Sequence, residues 1–140
     1  MIDNFIIDLV VTENCNLKCK YCYEKQRNIN MTEENFDHFY SVTLPQLKKL
    51  YDFNTYSLHF FGGEPLLNFN LIKYVVPIIK KDKNCIDIGI VSNGLLYNEE
   101  IKNYCIENNI NISISFDGLG NKFNRVDING NSTYDKYKNN

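Results

Sequence analysis

Four times along this chain a short strand pattern leads into a tight motif loop and then into a helical pattern. The strand patterns fall at residues 5–11, 56–61, 86–91 and 110–116. Thr32 stands as an N-cap before Phe36, Phe39, Tyr40, Leu44, Leu47 and Leu50, which recur at helical spacing. Pro45 falls inside that run, so a kink or two helical pieces are expected. Asn68 is placed to cap a helix through Lys81, with Phe69, Ile72, Val76 and Ile79 on one face and Pro77 weakening its regularity. Asn98 caps a third helix reaching about Asn108, its first turn carrying Glu99 and Glu100 where the helix dipole favours acids. Ser132 is a cap for a fourth helix that begins near the end of the sequence. Strands that alternate with helices pair in parallel through right-handed crossovers. The loops that follow the strands then gather at one edge of the sheet, where α/β folds bind their ligands.

The strands alternate in polarity as well. Ile110, Ile112, Ile114 and Phe116 share one face, and Asn111, Ser113, Ser115 and Asp117 the other. Phe5, Ile7, Leu9 and Val11 oppose Ile6, Asp8, Val10 and Thr12; Leu58 and Phe60 oppose Ser57, His59 and Phe61; Ile86, Ile88 and Ile90 oppose Asp87, Gly89 and Val91. Parallel strands buried on both faces are apolar throughout. Here one face suits helices and the other is partly polar, as in a curved sheet with a ligand-lined inner face. Asp8 and His59 fall on that inner face as candidates for substrate contact, with a satisfied histidine the preferred reading for His59.

Fifteen basic and seventeen acidic residues give a net charge of −2, which excludes a strongly basic nucleic-acid binder. No apolar run approaches the length of a membrane span, and the first apolar run is short and interrupted by Asp8. A cytoplasmic protein with no membrane and no nucleic-acid partner is expected. Five cysteines, an odd number without a secretion signal, argue against a disulfide framework.

Three of those cysteines, Cys15, Cys19 and Cys22, crowd into the loop after the first strand. Three thiolates on one short loop suit a soft metal or an iron–sulfur cluster. Structural zinc sites and simple ferredoxin clusters want four ligands, and three leave one iron of a four-iron cluster free. A zinc site completed by Cys85, Cys105 or a histidine stays open, with the iron–sulfur site favoured. Cys105 lies on the apolar face of its helix and reads as core.

The segment at residues 15–23, Cys-Asn-Leu-Lys-Cys-Lys-Tyr-Cys-Tyr, resembles the signature of the radical S-adenosylmethionine (SAM) superfamily, with Tyr21 as the aromatic before the third cysteine. Phe61-Gly62-Gly63-Glu64-Pro65 is similar to the family's motif after strand two, Ser92-Asn93-Gly94 to that after strand three, and Ser115-Phe116-Asp117-Gly118 to that after strand four. The set occurs in family order across nearly the whole chain. The branch it resembles most is that of the peptide and protein maturases with a C-terminal SPASM domain, including anaerobic sulfatase-maturing enzymes. The implied fold is α/β, a partial (β/α) barrel of radical SAM type. About four parallel βα units are present and the C-terminal units are missing. Residues 1–140 would be a truncated core domain without the auxiliary-cluster domain.

The resemblance implies a 4Fe–4S cluster held by Cys15, Cys19 and Cys22, whose free iron chelates SAM. Reductive cleavage of SAM then yields a 5′-deoxyadenosyl radical that abstracts hydrogen from a peptide or protein. A flavodoxin- or ferredoxin-like donor would supply the electron. Tyr21 joins the SAM-binding set by its place in the signature. Gly62 and Gly63 would let the backbone approach the SAM amino group, with Glu64 as the acceptor near that ammonium. Ser92, Asn93 and Ser115 offer hydroxyl and amide partners, for which turn chemistry is the plain alternative. Arg125 is placed to pair with the SAM carboxylate, and Asp117-Gly118 to shape a turn. A fragment that binds a cluster without catalysis, and a small zinc module, are the alternative functions.

Overall fold

The computed structural model describes residues 4–138. Its four strands are β1 (Phe5–Thr12), β2 (Tyr56–Gly62), β3 (Cys85–Ser92) and β4 (Asn111–Ile114). All pair in parallel, in the simple order β1-β2-β3-β4. That order is one wall of a barrel; a doubly wound sheet would reverse direction.

Helices cover one face. Ile7, Leu9 and Val11 of β1, with Leu58 and Phe60 of β2, pack against Phe36, Ile72, Val76 and Ile79, all of them buried. The opposite face is open: Ile6 is 58% exposed and Val10 45%. There His59 Nδ1 lies 3.3 Å from Asp8 Oδ1 and its Nε2 lies 3.8 Å from Asp87 Oδ2. Gly89 leaves room for the imidazole, because a Cβ there would stand 2.9 Å from His59 Cδ2. His59 thus lies between two carboxylates on the open face.

The helices follow the expected runs with three differences. The first run is one continuous helical stretch of α1 (Glu33–His38), a π-helical segment (Phe39–Thr43) and α2 (Leu44–Tyr51). The wide turns let the Leu44 N–H reach Phe39 O just before Pro45, which has no N–H to give. Thr32 caps α1 in a capping box with Asn35. Asn68 does not cap α3 (Phe69–Ile79), which ends two residues short of Lys81. Its amide instead donates to Val11 O at 2.9 Å and Met31 O at 3.1 Å, pinning the end of β1. Asn98 caps α4 (Glu99–Asn108) as expected. Two short helices follow, α5 (Asn121–Asn124) and α6 (Tyr134–Lys138). Ser132 Oγ accepts the Tyr134 N–H at 3.3 Å.

β4 is shorter than its apolar pattern. Among the described residues it has a strand neighbour on one side only, and Ile114 and Phe116 are 43% and 54% exposed. Ile86 also leaves the core: it falls in the register slip between β2 and β3 and is 57% exposed. Among the described residues no helix is long and apolar enough to cross a membrane.

Candidate functional site

The site is built where the strands end. β1 runs into the cysteine loop, and the loop's return arm pairs back on its start: Glu13 N–H donates to Ile29 O at 2.9 Å and Met31 N–H to Val11 O at 2.9 Å. Thr12 Oγ1 donates to Asn30 Oδ1 at 2.6 Å, and Arg27 pairs with Glu13. The tip of the loop is held by chain from beyond β4. Lys18 N–H donates to Val126 O at 2.8 Å, Lys20 N–H to Asn124 O at 2.9 Å, and Leu17 bridges Asp127. Leu17 is fully buried and anchors this ribbon.

Gly62 and Gly63 line the same pocket as the cysteines, but the structure gives them a different reason to be glycine. A Cβ on Gly62 would meet Thr12 O at 2.1 Å, and one on Gly63 would meet Asn14 O at 2.2 Å. The chain entering the cysteine loop therefore lies directly on the glycines. Their contact is sealed by Gly63 N–H to Thr12 O at 2.9 Å and Glu64 N–H to Asn14 O at 2.8 Å.

Glu64 is also turned inward. It is fully buried, and it does not line the pocket. Its Oε1 accepts from Leu66 N at 3.1 Å and Ser92 Oγ at 2.8 Å, and its Oε2 accepts from Asn93 N at 2.7 Å. Burial pushes its carboxyl above the ordinary range despite those three donors. The carboxylate clamps the loop after β2 to the loop after β3. Ser92 Oγ accepts from Gly94 N at 2.9 Å while donating to Glu64. Asn93 Nδ2 donates to Asn16 Oδ1 at 2.7 Å, its Oδ1 accepts from Leu95 N at 3.0 Å, and its carbonyl accepts from Tyr137 Oη at 2.6 Å. Both residues line the pocket with side chains already used in holding loops together. Ser115 lines it too, tied to β3 by its N–H to Ser92 O at 2.9 Å.

Cys15, Cys19 and Cys22 are free thiols on one wall of this pocket, beside Gly62, Gly63 and Arg125. Burial pushes the Cys15 and Cys19 thiols up, and Arg125 opposes that rise at Cys19. Among the described residues no three His, Cys, Asp or Glu side chains converge on a point as they would around a metal ion. Cys105 is buried in the core as expected, and Cys85 bonds the Asp87 carbonyl from the far end of β3.

Arg125 lines the same pocket. Its Nη2 lies 3.2 Å from Asp117 Oδ1, its guanidinium sits over the Tyr21 ring, and its buried Nε has no hydrogen-bond partner among the described residues. An orphaned buried donor costs about 1–3 kcal/mol unless a ligand meets it. Tyr21 donates to Asp117 Oδ2 at 2.6 Å. Asp117 is more than the turn residue its motif indicates. Only its spatial meeting with Tyr21 and Arg125, which no local spacing encodes, makes the difference visible.

Residues 9–140 match the Radical SAM superfamily. The chain belongs to that superfamily. It is 36% identical over 126 residues to the radical SAM cyclopropyl synthase TigE of Paramaledivibacter caminithermalis, covering 79% of this chain and 26% of that protein. It is 31% identical over 114 residues to the GTP 3′,8-cyclase of Syntrophomonas wolfei, covering 74% of this chain and 32% of that one. Among solved structures, native anSMEcpe with bound AdoMet, an anaerobic sulfatase-maturing enzyme, matches the fold with a TM-score of 0.77. The identity is 24%, over 99% of this chain and 39% of that one. The chain thus spans well under half the length of these radical SAM relatives. Membership implies SAM and a 4Fe–4S cluster. The residues present fit that pair in chemistry: a three-thiol donor set, and an arginine lining the same pocket whose buried Nε–H is unpaired among the described residues.

Proposed function

We propose that this chain is the cluster- and SAM-binding part of a radical SAM enzyme that modifies a peptide or protein. The observation that carries the reading is the shared pocket: three cysteines with free thiols, the Gly62-Gly63 edge and Arg125, whose buried Nε is unpaired among the described residues, line one space at the ends of parallel strands. Cys15, Cys19 and Cys22 would hold the cluster, and Arg125 would receive the carboxylate of SAM. When bound, the pair supplies one-electron reductive cleavage of SAM, the source of hydrogen-atom abstraction. The chain's own part is to bind and orient. Arg125 presents a charged donor to an anionic group. The Gly62-Gly63 contact holds the cysteine loop against β2, and the Glu64 clamp keeps the loops after β2 and β3 in fixed relation. Ser115, Gly62 and Gly63 supply further parts of the wall.

The peptide or protein substrate is supported by the fold likeness to anSMEcpe, which is also solved with bound AdoMet and a Cp18Cys peptide (TM-score 0.72, 25% identity, 38% of that chain covered). An electron donor of the flavodoxin or ferredoxin kind belongs to the same reading. The test is 5′-deoxyadenosine formation from SAM and dithionite by the anaerobically reconstituted chain. The control is a variant with all three of Cys15, Cys19 and Cys22 changed to Ala. Formation above the control is expected. A chain that carries its full iron and sulfide yet forms no more than the control refutes SAM cleavage by these residues.

A further inference from the structure

Asp117 joins three parts of the chain that are distant in sequence. Its Oδ2 accepts from the Tyr21 hydroxyl of the cysteine loop at 2.6 Å, and its Oδ1 lies 3.2 Å from Arg125 Nη2 in the segment behind α5. The Arg125 Cζ stands 5.6 Å from the centroid of the Tyr21 ring, over which the cation sits. Asp117 is itself fixed, because its N–H donates to Oδ1 of the fully buried Asn121 at 2.6 Å. A guanidinium is planar, and its five N–H groups point in fixed directions. With Nη2 tied to a carboxylate and the cation held over a ring, the freedom of Nε–H to turn away is restricted. That N–H is buried, unpaired among the described residues, and belongs to a residue that lines the pocket.

We infer that Asp117 is a positioning residue: it holds Tyr21 and Arg125 together so that the Arg125 Nε–H meets a carboxylate of the pocket's ligand. The inference rests on the reading above for the ligand, SAM. Tyr21 lies between Cys19 and Cys22, so the arrangement closes only when the cysteine loop is seated. The carboxylate donor and the thiol wall then come into register together.

The chain has two arginines, Arg27 and Arg125, so its arginine Nε–Hε spectrum holds two assignable signals. Nitrogen-15 spectra of the metal-free chain, with Arg27→Lys for assignment, read the arrangement directly. Asp117→Asn is expected to shift and broaden the Arg125 signal while the amide spectrum and melting temperature stay close to wild type. In the reconstituted chain the same variant is expected to weaken SAM binding about tenfold at unchanged iron content, as loss of a charge-assisted anchor predicts. Asp117→Glu should recover part of that affinity. Tyr21→Phe, on a half-exposed ring, is expected to move both readouts in the same direction, and it carries the test if Asp117→Asn does not fold. An unmoved Arg125 signal overturns the inference, as does a moved signal with unchanged SAM affinity. If the wild-type chain takes up its cluster and binds no SAM, the proposed ligand is wrong, and the metal-free spectra still decide whether Asp117 positions Arg125.

Discussion

Gly63→Ala tests the claim that the cysteine loop is seated on bare backbone. The added methyl would stand 2.2 Å from Asn14 O, 2.7 Å from Asn14 C and 3.0 Å from Glu13 O. Backbone atoms cannot swing aside, so residues 12–14 must retreat by about an ångström to reach ordinary contact. That retreat takes the 2.9 Å bond from Gly63 N and the 2.8 Å bond from Glu64 N out of hydrogen-bonding range. Two lost bonds, with their donors left half-buried or buried, amount to about 2–4 kcal/mol. For a chain of this size that lowers the melting temperature by about 6–12 °C. The assay is thermal and urea unfolding of the metal-free chain, followed by iron uptake on reconstitution, which should fall because the loop is displaced. Gly130→Ala is the comparison: nothing lies within 4 Å of its added Cβ, and its φ of +84° costs only the strain of a left-handed residue, about 1–2 kcal/mol. If Gly63→Ala melts no lower than Gly130→Ala and takes up iron normally, the close approach is not what fixes these glycines.

Glu64→Gln puts an amide N–H₂ against one of three donors, so it should cost about 1.5–3 kcal/mol in urea unfolding at neutral pH. Because burial raises the Glu64 carboxyl, the folded wild type takes up this proton before the unfolded chain does. The gap between the two proteins should therefore widen as pH falls toward 4.5; a gap that narrows refutes the buried-clamp reading. Asp82 has the opposite sign. Although partial burial opposes it, the Asn84 N–H, the Tyr56 hydroxyl and Lys48 together lower its carboxyl below 3.8. The stability it confers is present above that value and is lost as pH falls through the folded pKa, so acid titration of Asp82→Asn should show a shallower loss below pH 4. Single Ala variants of Cys15, Cys19 and Cys22 should each abolish the brown chromophore, whereas Cys105→Ala should keep it; equal behaviour of all four would refute the ligand assignment.

The strands were legible because alternation of apolar and polar residues is a local property. Ile7, Leu9 and Val11 face the helices and Asp8 the open side, as their spacing requires. The cysteine loop and the motif loops were legible as motifs. What Glu64 does was not, because burial of a carboxylate depends on donors from residues 66, 92 and 93 arriving at one point. The glycine pair reads the same from sequence whether a ligand or the chain itself presses on it, and here the chain does. Asn68 has the composition of a cap, yet its amide serves two carbonyls from β1 and from the end of the cysteine loop. The run carrying Pro45 stays helical by widening its turns just before the proline, an accommodation that a period count does not reveal.

The ribbon joining residues 17–20 to residues 124–127 has a kinetic consequence. Its partners lie near opposite ends of this sequence, so its formation closes one of the longest loops the chain contains. Contacts of such high sequence separation form after local helices and adjacent βα units have assembled. During synthesis the three thiols emerge early and wait, without their seat, until the segment around Arg125 has left the ribosome. On the proposed reading, loading of iron and sulfide into a properly shaped loop would therefore be a late event, and before it the thiols would be open to oxidation or to capture by the wrong metal.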